Sequence, residues 1–95
     1  MERITVKNLE AVVDRINTIA GTPPKPWVRG EDGTVKGQIG NYHLDGAYGG
    51  YALHQMVNEG GGITATISGY RSKRELYDML HTFIRGMEVK QTAKN

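Results

Sequence analysis

The chain has 95 residues, a mass of 10.5 kDa, a formal net charge of +2 and no cysteine. That length holds one domain, residues 1–95, with one modest core. The lack of cysteine excludes disulfides, zinc ribbons, iron–sulfur clusters and thiol catalysis. Hydrophobic residues at 38% and charged residues at 23% fit a folded soluble domain. No apolar run approaches the ~18 residues of a membrane span, and no secretory signal opens the chain. Cytoplasmic residence, without membrane partner or cofactor, is the expectation.

In chain order, the first predicted element is a helix from about Val6 to Ala20. Leu9, Val12, Val13, Ile16, Ile19 and Ala20 recur on one helical face. Thr5 is placed to cap it, with Asn8 as an alternative, and Gly21 to stop it. Thr22-Pro23-Pro24-Lys25-Pro26 cannot continue a helix and reads as an extended connector to Trp27, a core anchor or a lid over the sheet. Glu31-Asp32-Gly33 is a turn signal. A strand follows over about Thr34–Leu44, weakened by Gly37 and Gly40. Tyr51–Val57 reads as a strand and Asn58–Gly62 as a turn. Ile63–Ser68 reads as a strand with Ile63, Ala65 and Ile67 inward and Thr64, Thr66 and Ser68 toward solvent or a partner. Ser72-Lys73-Arg74-Glu75 forms a capping box, and Leu76, Met79, Leu80, Phe83, Ile84 and Met87 form the apolar stripe of a second helix. Gly86 falls near its end, and residues from about 90 to 95 read as a frayed polar tail. The expected fold class is α+β: an N-terminal helix, a small antiparallel meander of three or four strands, and a C-terminal helix. Both helices lie on one sheet face.

Chemistry concentrates in one window. Ten of the 13 glycines fall between Gly30 and Gly62, and residues 41–54 combine Tyr42, His43, Asp45, Tyr48, Gly49, Gly50, Tyr51 and His54. Tyrosine supplies flat faces for stacking, and glycine lets backbone N–H groups approach a ligand closely. That mixture suits a planar polar ligand such as a nucleotide, although a tight hairpin with core tyrosines uses the same residues. If the hairpin turns at Tyr48-Gly49, His43 and His54 face each other. With Asp45 they then form a candidate divalent site, but no HxH or HxxxH spacing supports one and no metal is assigned. No activated serine or paired-carboxylate motif accompanies them, so a binding protein is expected over an enzyme and no catalytic residue is assigned. Arg71, Ser72, Lys73 and Arg74 open the second helix, where free N–H groups and basic side chains suit phosphate. A capped helix with a solvated basic first turn is the alternative reading.

The stretches Ile4-Thr5-Val6-Lys7-Asn8-Leu9-Glu10-Ala11-Val12-Val13-Asp14-Arg15-Ile16-Asn17, Tyr42-His43-Leu44 with Gly46–His54, and Arg74-Glu75-Leu76-Tyr77 resemble small accessory proteins of tailed bacteriophages and prophages. The resemblance brings no binding or catalytic residue with it. It implies a setting inside an infected bacterial cell, where such proteins often block a defence protein or sequester its nucleotide signal. The leading expectation is a homo-oligomer that captures a small nucleotide-like ligand. Tyr42, Tyr48 and Tyr51 would border the base, with Gly49 and Gly50 beside it. Arg71, Lys73 and Arg74, with His43 or His54, would meet the phosphates. An interaction module that inhibits a host protein is the main alternative, and a nucleic-acid binder using the basic turn is a further one.

Overall fold

In a computed structural model, which describes residues 3–93, helix α1 spans Val6–Ala20. Thr5 caps it: its hydroxyl accepts from Asn8 N at 3.2 Å, and Asn8 Oδ1 accepts from Thr5 N at 2.9 Å. Asn8 is thus the reciprocal partner of the cap and not a second start. Gly21, left-handed at φ 72, closes the helix.

The chain beyond the proline connector departs from expectation. The long strand predicted over Thr34–Leu44 is two strands in two sheets, broken at Gly40, where φ is +95. Strands β1 (Trp27–Arg29) and β2 (Val35–Gly37) form an antiparallel hairpin of their own. Strands β3 (Tyr42–Ala47), β4 (Gly50–Met56) and β5 (Ile63–Arg71) form the meander, in the order β3-β4-β5. Trp27 is not a core anchor. It is 46% exposed and lies on the Asn58–Gly62 turn, where a Cβ on Gly61 would sit 2.6 Å from the indole.

Helix α2 spans Lys73–Ala93. Glu75 N donates to Ser72 Oγ at 3.2 Å. The Glu75 carboxylate, however, takes the Ser72 hydroxyl at 3.1 Å and the Arg71 guanidinium at 3.9 Å, where the capping box had it on the Ser72 N–H. The helix runs through Gly86 and past Lys90, so residues 90–93 of the expected frayed tail are helical. Residues 94 and 95 of that tail lie outside the described residues.

Both helices pack on one face of the meander. Leu9, Ile16, Leu76 and Leu80 close around Leu53 of β4 and Ile67 of β5. Burying each of these side chains stabilises the fold by about 1.5–3 kcal/mol. The register pairs Leu53 with Leu44 and Ile67, which puts all three on the helix side. The next residue, His54, pairs with His43 and Ala65 on the opposite, open face. Gly37 of β2 sits against Met56 and covers one end of that face; the His43–His54 region beyond it carries no helix.

The predicted alternation in β5 fails for a definite reason. Between the pairs His54–Ala65 and Leu53–Ile67, β5 has one residue more than β4, and between Leu53–Ile67 and Tyr51–Arg71 it has two more. The first bulge, at Thr66, reverses the phase. Ile63 and Ala65 therefore lie on the open face, Ile63 at 44% exposure, and only Ile67 of the expected apolar trio is buried. The second bulge contains Gly69 at φ +83, a conformation that glycine adopts without steric cost.

Strand β3 is at the sheet edge, and α1 docks onto it through one side chain. Asn17 is 2% exposed. Its Oδ1 accepts from Tyr42 N at 2.8 Å and its Nδ2 donates to Tyr42 O at 2.9 Å. Thr22 Oγ1 also donates to Asn17 Oδ1 at 2.7 Å. The amide thus stands in for one residue of a missing neighbouring strand. Asn17→Ala leaves the Tyr42 N–H and C=O without partners and is expected to cost about 2–4 kcal/mol. Urea denaturation checks this as a lowered midpoint at unchanged slope.

Candidate functional site

The β3–β4 hairpin turns at Tyr48-Gly49, with φ of 53 and 73. Two positive φ values in a two-residue loop make a type I′ turn, which favours Asn-Gly. Tyr48 is the one non-glycine residue with positive φ among the described residues. A left-handed conformation costs a bulky residue about 1–2 kcal/mol, and the ring recovers little of this by burial, since Tyr48 is 93% exposed.

From the turn, four aromatic rings run across the open face. Tyr48 meets Tyr70 edge-on at 5.4 Å between centroids, Tyr70 meets His54 at 6.3 Å, and His54 meets His43 at 6.0 Å. Tyr70 Oη donates to Asp45 Oδ2, tying β5 to β3 across β4. That bond is the main reason the Tyr70 phenol is held above its ordinary pKa. His43 is fixed from the other side. Asn41 Nδ2 donates to Pro23 O at 2.8 Å, and Asn41 Oδ1 lies 3.0 Å from His43 Nδ1. Burial chiefly, and the neighbouring His54 charge next, hold His43 below its ordinary value of 6.5, against an opposing pull from Asp45. At neutral pH the imidazole is therefore uncharged.

The residues singled out in the sequence divide between the two faces. His43, Asp45, Tyr48 and His54 gather on the open one. Gly49 is at the hairpin tip, where a Cβ would meet nothing within 4 Å, but Gly50 is buried with its Cβ position 3.0 Å from Arg71 N. That side of Gly50 is packed against β5, and a cleft of about 410 Å³ opens beside it, lined by Gly46, Ala47, Gly49 and Tyr51. Tyr42 is on the helix side, edge-on to Phe83 at 5.7 Å. Tyr51 shares that side, paired with Arg71. Arg71, Ser72, Lys73 and Arg74 form the β5–α2 junction. Tyr70 and Arg71 are consecutive with side chains on opposite faces, so the basic turn lies at the rim of the ring row.

Two members of the site were not legible in the sequence. Tyr70 lies past Gly69, beyond the predicted strand end, and the bulges that turn it toward Asp45 leave no periodic signal. Asn41 opens the Tyr-His window with nothing to mark it as a support for His43, and only the fold brings Pro23 against it. The described residues contain no group of three His, Asp or Glu side chains arranged to hold a metal, and no helix among them is long and apolar enough to cross a membrane. No family model, curated protein or solved structure matches the chain.

The lowered pKa of His43 has a signed consequence. The folded protein binds fewer protons at this site than the unfolded chain, so its contribution to stability is present above about pH 6.5 and is lost as pH falls through the folded value. Wild-type protein is expected to lose stability between about pH 7 and about pH 5 that His43→Gln retains. Urea denaturation of both proteins across that range is the check, with the NMR titration midpoint of His43 expected below 6.5.

Proposed function

We propose that this chain is a non-catalytic binding protein that captures a small nucleotide-like ligand on the open sheet face. The observation that carries the reading is Tyr48, a fully presented aromatic ring at a turn position that disfavours it. Backbone strain without a packing return is a mark of function. The rings of the Tyr48–Tyr70–His54–His43 row are turned 66°, 72° and 86° to one another, so a base would stack on one ring, a contact worth about 1–3 kcal/mol. Phosphates would extend over the β5 rim toward Arg71, Lys73 and Arg74, which charge-assisted hydrogen bonds favour. In the phage setting that the sequence resemblance implies, the ligand would be a nucleotide signal of host defence.

The test separates binding from folding. Tyr48→Asn creates the preferred Asn-Gly turn and is expected to raise stability by about 0.5–1 kcal/mol. The same change is expected to weaken binding of AMP, ADP-ribose or a cyclic dinucleotide tenfold or more by isothermal titration. Absence of heat and of thermal shift for all three probes with wild-type protein at millimolar concentration removes the reading.

The homo-oligomeric state that belongs to this reading is favoured by the outer edge of β5. From Ile63 to Tyr70 this nine-residue edge strand carries no charge and no proline, two of the devices that normally keep sheet edges apart, and the stretch before its first bulge, Ile63–Ala65, is the part free for pairing. Beside it lies an apolar groove of about 330 Å³ lined by Ile67, Met79 and Phe83. Antiparallel pairing of β5 between two copies would cover both. Native mass spectrometry is expected to show a dimer that Thr64→Lys converts to monomer; a wild-type monomer at micromolar concentration counts against the pairing.

A further inference from the structure

We infer that His43 is the base-selecting residue of this surface: its Nε2 acts as a fixed hydrogen-bond acceptor that favours a nucleobase with an N–H donor on its edge. The inference rests on the nucleotide reading and deepens it. Its basis is a chain of bonds with only one consistent assignment of hydrogens. Pro23 O is a carbonyl and only accepts, so the Asn41 amide must turn its Nδ2 toward it, at 2.8 Å. That leaves Asn41 Oδ1 facing His43 Nδ1 at 3.0 Å. An amide oxygen only accepts, so Nδ1 carries the proton. In the neutral ring the lone pair is then on Nε2.

Asn41 cannot turn over to relax this assignment. It is 0% exposed, and its backbone is held at both ends: its N–H donates to Gln38 O at 3.1 Å and its C=O accepts from Met56 N at 2.9 Å. Nε2 itself is available. No hydrogen bond to His43 Nε2 is found among the described residues, and Nε2 is not one of their fully buried unpartnered atoms, of which Arg71 Nε is the one, so it keeps some contact with solvent. His43 stands between the ring row and a cleft of about 250 Å³ bounded by α1 and the proline connector. The charged and titratable groups acting on it are His54 on β4 and Asp45 on β3; Glu10 and Asp14 of α1 line the cleft. When the ring protonates, Nε2 becomes a donor and the preference disappears.

The probes are AMP and purine riboside 5′-monophosphate, which share stacking surface and phosphate but differ in the exocyclic amino group; the second has no N–H donor on its base. Wild-type protein at about pH 7.5 is expected to bind AMP about tenfold more tightly, with the ratio falling toward one as the pH is lowered through the NMR titration midpoint of His43 and Nε2 takes up its proton. Long-range proton–nitrogen NMR on the same protein is expected to show the Nδ1–H tautomer at His43. Asn41→Leu releases the ring and is expected to lower the AMP preference without weakening the analogue. Should that variant not fold, the wild-type tautomer and the pH dependence decide the matter alone. Equal binding of both nucleotides at about pH 7.5, or an Nε2–H tautomer in wild-type protein, overturns the role of His43 and leaves the nucleotide reading standing. If neither nucleotide binds, both fall together.

Discussion

The Asn17 amide on the edge of β3 is the contact on which the remaining geometry depends. An edge strand has unpaired N–H and C=O groups, and a helix can supply matching groups only through a side chain. Asn17 does so with one donor and one acceptor on the same residue, Tyr42. This sets which β3 residues face α1. Tyr42 and Leu44 turn toward the helices, and His43 and Asp45 turn away from them. The Thr22 hydroxyl on the same amide draws the chain after α1 back against the sheet, and the prolines that follow bring Pro23 O to Asn41. One buried amide thus orders the helix, the strand phase and the support of His43.

The second constraint is the pair of bulges in β5. A regular strand would put Ile63, Ala65 and Ile67 together in the core. The extra residue at Thr66 sends Ile67 alone to the helices. The two further residues around Gly69 then turn Tyr70 outward to Asp45 and leave Arg71 on the helix side. Core packing is given up at Ile63 and Ala65, and an aromatic row is built on the open face. Bulges commonly re-aim side chains beside binding surfaces in this way.

Stability and surface chemistry oppose each other at Tyr48. A hairpin chosen for stability alone would place asparagine there. The observed tyrosine accepts a left-handed backbone and gives the ring to solvent, supported only by an edge contact with Tyr70. His43 shows the same conflict: an imidazole kept neutral by burial lowers stability in acid but holds a lone pair at neutral pH. Both are local departures from the most stable choice on the same face, whereas the caps, core and Asn17 contact follow the stable choice.

By itself the sequence determined the two helices, the Ser72 cap and the α+β class, and it offered Thr5 as one of two caps and a Tyr48-Gly49 turn, setting His43 against His54, as one of several registers. Each of these rests on residues within a few positions of one another: a 3.6-residue repeat, a capping side chain, a glycine beside a turn. Tertiary structure decided the rest. The break at Gly40, the placing of Trp27 on the Gly60–Gly62 turn, the phase of β5 and the partnership of Tyr70 with Asp45 depend on which strand lies opposite. Pairing register is a long-range property, and a single inserted residue reverses it without disturbing local propensity. For that reason the Tyr-Gly-His window was legible as chemistry, but its division between two faces was not. Tyr42 and Tyr51 went to the helices and Tyr48 to solvent because strand phase, not residue type, assigns a side chain to a face.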